Sequence, residues 1–207
     1  MIVSDDFIWL HFPKCAGTRI ESIFRKYYSD DKRIRQDPVG LDVDPTIAWH
    51  DSIRKRMKKD TGFSVAGRTI ICSFRRLPSW LISRYNFEVQ RSPRLNHDPL
   101  RLFEGKFLKQ NGTIQHADTI IDRYLTELIE EDQMIKYLRV ENFREDFFNI
   151  FGQFVDISRI PEEEFSLLEN KSGNLIGSEI LRRLFLQVDT IYTNCPKWKA
   201  IEDVAYP

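Results

Sequence analysis

Cysteine is scarce in this sequence, and Cys15, Cys72 and Cys195 are odd in number, far apart and in no C-x-x-C pair. That excludes a disulfide framework and a cysteine-rich zinc site, and it points to a reducing compartment, the cytoplasm. Long apolar runs are also missing. No stretch approaches the roughly 20 apolar residues that span a bilayer, and Met1 to Asp6 has neither the basic start nor the apolar core of an export signal. A chain made without export and without an integral membrane segment is expected. Net charge is absent as well, with 31 Lys and Arg against 31 Asp and Glu. No global field draws such a chain to nucleic acid, so no nucleic-acid partner is expected and any anion site is local. Repeats and low-complexity segments do not occur, and nine glycines and nine prolines are scattered as loop punctuation.

What is present is a chain of 207 residues, 42% hydrophobic and 30% charged, which suits one domain over 1–207 with a sizeable core. Phe7 to Phe12 is a short aromatic and aliphatic run ended by Pro13, the pattern of a buried parallel strand. Behind it Ile20, Ile23, Phe24, Tyr27 and Tyr28 recur at helical spacing, with Thr18 placed to cap the helix. The same grammar returns with a strand at 69–74 and a helix at 78–90, and again with a strand at 134–140 and a helix at 143–151. Further helical stretches are expected near 99–108 and 117–130. Strands separated by helices predict an α/β fold with a central parallel sheet flanked by helices, and ligands bind beyond the carboxyl ends of such strands. An apolar helix stripe reads the same facing a partner or the core, so no oligomeric state follows.

The segment His11-Phe12-Pro13-Lys14-Cys15-Ala16-Gly17-Thr18-Arg19 joins the first strand to a helix N-terminus through small residues, a lysine and a hydroxyl. Helix-start N–H groups carry the positive end of the dipole, Gly17 lets the main chain approach a phosphate oxygen, Lys14 adds a charge and Thr18 a donor. The same residues also suit an ordinary turn capped by Thr18, so the loop alone leaves both readings open. It is not a Walker A loop, because Lys14 precedes Gly17 instead of following the glycines. Cys15 and Arg19 stand too close in sequence for a cysteine-phosphatase loop.

The stretch resembles the P-K-x-x-G-T loop of sulfotransferases that use 3′-phosphoadenosine 5′-phosphosulfate (PAPS), of the bacterial and carbohydrate type, whose fold is a single P-loop-type domain. The family's second signature, R-[ND]-P with a serine eight residues after the arginine, is resembled by Arg75 to Tyr85, where Arg75 and Ser83 have that spacing. Leu77 stands where the proline is expected and Pro78 is displaced by one, so Arg76 competes with Arg75. The resemblance implies that Lys14, Cys15, Ala16, Gly17, Thr18 and Arg19 hold the 5′-phosphosulfate, and that Arg75 and Ser83 hold the 3′-phosphate. Tyr137 to Phe143 is similar to the family's strand ending in R-x-E-x-[LF], mainly a packing element, and Glu169 to Ser172 to its late polar loop.

Sulfuryl transfer needs in-line positioning and charge stabilisation, with no metal required. The resemblance gives Lys14 the leaving phosphate oxygen and His50 the proton of the acceptor, with Glu21 and Glu88 as alternative bases. His11 reads as a structural neighbour of the loop, and His97 and His116 as exposed loop residues. The basic run 54–59 reads as a solvated helix face that could attract an anionic glycan, and Trp49 and Trp80 as core residues or sugar platforms. The expected acceptor is a small molecule or saccharide with a hydroxyl or amine. Two other classes fit the same pattern: a small-molecule kinase of P-loop type, and a non-catalytic nucleotide-binding module.

Overall fold

The structure is a computed structural model that describes residues 1–38, 50–131, 133–166 and 175–207. In chain order the strands are β1 (Ile2–Val3), β2 (Phe7–Leu10), β3 (Arg35–Gln36), β4 (Thr69–Phe74), β5 (Lys106–Leu108), β6 (Ile114–His116) and β7 (Ile135–Arg139). The helices are α1 (Gly17–Tyr28), α2 (Ile53–Lys59), α3 (Leu77–Arg91), α4 (Asp118–Tyr124), α5 (Thr126–Glu130), α6 (Phe143–Phe151), α7 (Glu162–Ser166), α8 (Ser178–Leu186), α9 (Val188–Asn194) and α10 (Pro196–Ala205).

The main sheet has the order β3-β1-β2-β4-β7. Its three expected strands run parallel, with Phe7 opposite Thr69 and Phe74 opposite Arg139. The sheet as a whole is mixed, because β1 pairs antiparallel with both β2 and β3. The cause is local. Ser4 turns the chain tightly, its Oγ accepting from the N–H groups of Asp6 at 3.1 Å and Phe7 at 3.0 Å, and so short a connection permits only antiparallel pairing. Two-residue strands carry no periodicity, so the sequence did not announce β1 or β3.

A second correction concerns the helix expected near 99–108. Pro99–Glu104 is a 3₁₀ turn that stops at Gly105, whose φ of 68° admits glycine readily, and the chain continues as the β5–β6 hairpin. The stretch 117–130 is two helices, broken at Leu125.

Contacts divide the chain into two compact units, Met1–Phe74 with Thr126–Glu169, and Arg75–Leu125 with Asn170–Pro207. The first unit contains the main sheet. Ile20, Ile23, Phe24 and Tyr28 of α1 and Phe147, Ile150 and Phe151 of α6 form one buried cluster with Phe7, Trp9, Ile71 and Leu138 of the strands. The spacing of these residues puts them on one stripe of each helix. Phe151 meets Phe24 at 5.0 Å and Phe7 at 5.6 Å between ring centroids. Each such buried ring contributes about 1.5–3 kcal/mol. The cluster therefore fixes α1, and with it the loop that leads into α1.

The second unit has its own core. Trp80 lies against Trp198 at 4.5 Å and Phe107 at 5.6 Å, all fully buried. Two carboxylates cap helix starts across it: Glu202 accepts the N–H of Leu77 at 2.9 Å, and Asp118 accepts that of Trp198 at 2.9 Å. Among the described residues no helix is long and apolar enough to cross a membrane.

Candidate functional site

Between β2 and α1 the backbone adopts two unusual conformations. Lys14 has φ 64° and Ala16 has φ 59°, both left-handed and neither glycine. Each costs of order 1–3 kcal/mol and persists only where its surroundings impose it. Here the buried side chains of Phe12 and Cys15 pin the loop from beneath. Left-handed residues interleaved in a turn gather successive N–H groups into a concavity suited to an anion. The C=O of Ala16 accepts the N–H groups of Arg19 at 3.1 Å and Ile20 at 3.2 Å, which leaves those of Gly17 and Thr18 without a helical acceptor.

Two expectations for individual loop residues are corrected and a third is extended. Thr18 is not the cap. Ala16 holds that position, with no side-chain cap bond, while Thr18 lies exposed in the first turn. Arg19 turns away from the loop: its guanidinium donates to the main-chain O of Glu164 and stacks over Phe143 at 5.2 Å. Gly17 carries a requirement beyond the close approach expected of it. A Cβ there would sit 1.9 Å from Nε2 of His11, so the imidazole of His11 occupies the space that a side chain would need.

His11 is the centre of a cluster that the sequence did not single out. Its Nδ1 lies 2.8 Å from Oε1 of Glu21, and its ring meets the ring of His50 edge-on at 4.2 Å. Burial, followed by the positive charges of the Met1 amino group and Lys14, holds the imidazole of His11 down to about 3. Burial, then the neighbouring His11, holds His50 at about 4. Burial pushes the carboxyl of Glu21 up to about 7. At neutral pH both imidazoles are therefore neutral, and the His11–Glu21 contact is a hydrogen bond to a half-ionised carboxyl and not an ion pair.

His50 itself stands just before α2, whose start is capped by Ser52 accepting the N–H of Lys55 at 3.3 Å. The basic run that follows is mostly spent on pairing. Asp51 holds Lys55 at 2.6 Å and Lys59 at 2.9 Å, Arg54 meets Glu127 at 2.7 Å, and Arg56 is buried against Asp37. A glycan-attracting patch is not what these residues form.

In the second unit Arg76 is committed, bridging to Glu202 at 3.4 Å and lying over Tyr206 at 4.4 Å. Arg75 shows no guanidinium partner among the described residues, and only its C=O is used, by the indole of Trp198 at 3.3 Å. Ser83 lies half-buried in the second turn of α3. Of the two arginines, Arg75 is the one available to a ligand. Glu88 leaves the set of candidate bases, because it is buried, bridged to Arg84 and accepts the N–H of Gln110 at 2.8 Å. Trp80 is core and offers no sugar platform. His97 is half-buried, its Nε2 against the C=O of Ser92 at 2.9 Å, and His116 lies on β6; neither is an exposed loop residue. Arg139 grips Asp146 through Nε at 2.8 Å and Nη2 at 2.7 Å, the packing role expected of it. Trp49 and the stretch from Glu169 to Ser172 lie outside the described residues.

His116, Asp118 and Cys195 bring three metal-type donors within 4.8 Å of one another. Their atoms are already used. Nδ1 of His116 accepts the N–H of Asp118 at 3.2 Å, which puts the ring proton on Nε2, and Asp118 accepts the N–H groups of Lys197 and Trp198. Burial pushes the thiol of Cys195 up to about 12. The trio reads as a packed helix cap. Comparisons with protein-family models, curated proteins and solved structures find no match.

Proposed function

We propose that the chain is a sulfotransferase that moves the sulfuryl group of PAPS to a hydroxyl or amine of an acceptor, a saccharide being the favoured class, and releases 3′-phosphoadenosine 5′-phosphate (PAP). The observation that carries this reading is the loop backbone. Two non-glycine residues are held left-handed at Lys14 and Ala16, directly before a 12-residue helix. Strained backbone of this kind clusters at ligand-binding sites, which supports an anion-binding role for the loop.

In this reading the acceptor oxygen attacks sulfur as the bond from sulfur to the 5′-phosphate oxygen breaks. Lys14 and the N–H groups at the start of α1 take the charge that develops on the departing phosphate. Arg75 and Ser83 take the 3′-phosphate. His50, neutral at pH 7, receives the acceptor proton, and Glu21 is the other group positioned near it whose protonation changes near neutrality. The free thiols of all three cysteines suit a cytoplasmic enzyme.

The test is calorimetric titration with PAP and, separately, with ATP and magnesium. Tight PAP binding is expected, weakened about 10- to 100-fold by Lys14→Ala and by Ser83→Ala, the loss of one charge-assisted contact each. Absent PAP binding, or a preference for magnesium ATP, sinks this reading and favours a small-molecule kinase.

A further inference from the structure

Glu21 stands one helical turn beyond Gly17 on the same face of α1, about 6 Å along the axis. Gly17 supplies one of the two N–H groups left open at the helix start, and it is pressed by the imidazole that Glu21 holds. The imidazole of His11 thus stands between Gly17 and the carboxyl of Glu21, which lies one helical turn below the loop in a buried setting with little water to screen it. Resting on the anion-loop reading above, we propose that the loop takes up its phosphate-bearing ligand together with one proton, and that this proton resides on Glu21.

An anion above Gly17 and an ionised carboxylate beneath it repel through low-dielectric surroundings, so each favours the neutral form of the other site. The coupling is reciprocal: protonation tightens the anion, and the anion raises the proton affinity of Glu21. The groups that face Glu21 are His11 at the end of β2, His50 before α2, Arg25 on α1, Asp37 beyond β3 and the Met1 amino group on β1. The imidazoles stay neutral above pH 6. Burial lowers the Met1 amine below its ordinary 8.0, so it is a second group here whose proton the comparison with Glu21→Gln has to separate.

The sign follows. Below Glu21's free value, about 7, the carboxyl is already neutral and affinity is flat. Above it the ligand must bring a proton, and affinity falls by up to about tenfold per pH unit until the value of the bound state is reached. The experiment is PAP titration of the wild type and Glu21→Gln at pH 7.5 in two buffers of different ionisation enthalpy. A net uptake of up to about 0.7 proton per PAP is expected in the wild type, the share of Glu21 still ionised at that pH, with Glu21→Gln lower by that amount.

Inorganic sulfate, whose charge does not change over this range, repeats the measurement without titration of the ligand. No uptake in the wild type overturns the proposal even if the variant misfolds. Equal uptake in both proteins overturns it too, and places the proton on a group other than Glu21. Sulfate binding with the expected uptake but without PAP binding supports the proton-linked loop and sinks the sulfotransferase reading. Failure to bind either anion sinks both.

Discussion

Two buried glutamates, one in each unit, show what a partner does to a carboxylate. Glu88 is 1% exposed and meets Arg84, while Glu21 is 7% exposed and meets His11. Arg84 loses proton affinity to burial yet remains a cation, because guanidinium does not deprotonate in proteins. His11 answers the same pressure by shedding its proton, and its carboxyl partner is left to move toward neutrality. A permanent cation makes a buried carboxylate structural. A titratable partner leaves it free to exchange a proton near neutral pH.

The largest expected effect is on the fixed pair. Glu88→Ala strands the buried Arg84 and the N–H of Gln110, and about 3–5 kcal/mol of stability should be lost in denaturant unfolding. A loss below about 1 kcal/mol would erase the contrast. Next comes Gly17→Ala, which drives a Cβ into His11 and should cost about 1–3 kcal/mol. Most of that cost should vanish in Gly17→Ala/His11→Ala, and strict additivity in that cycle would show that the imidazole is not what excludes the side chain.

Glu21→Gln should be almost neutral well below pH 4.5, where the carboxyl is protonated both folded and unfolded. Glu21's raised value in the fold means that its contribution is present below 4.5 and lost as pH rises through about 7. The wild type should therefore lose about 1–2 kcal/mol relative to the variant across that window. His11 and His50 act oppositely, costing stability as pH falls from 6.5 toward about 3 and about 4 respectively, and both are present in the wild type and the variant. Parallel pH–stability curves would show that Glu21 titrates normally. The smallest effect is Arg76→Ala, which removes a half-exposed bridge and a cation–π contact worth about 0.5–1 kcal/mol. Arg75→Ala should leave stability unchanged and abolish PAP binding, and the reverse outcome would exchange the two arginines.

The sequence by itself determined the elements long enough to carry a period. The strand at 69–74 and the helix at 143–151 occur with the expected bounds, and α1 and α3 within about two residues, because apolar spacing over ten or so residues records which face is buried. It also determined which short loop joins β2 to α1. Tertiary structure decided the rest, through contacts that no sequence period records. The mixed sheet arises where two-residue strands pair, and a chain turn at Ser4 sets their direction. The role of Gly17 depended on a ring arriving from β2, and Arg76 was removed from the site by Glu202, 126 residues away. Glu21 and Glu88 read alike as helical glutamates. Only the fold gave one of them an imidazole and the other a guanidinium, and of those two partners only the imidazole sheds its proton on burial.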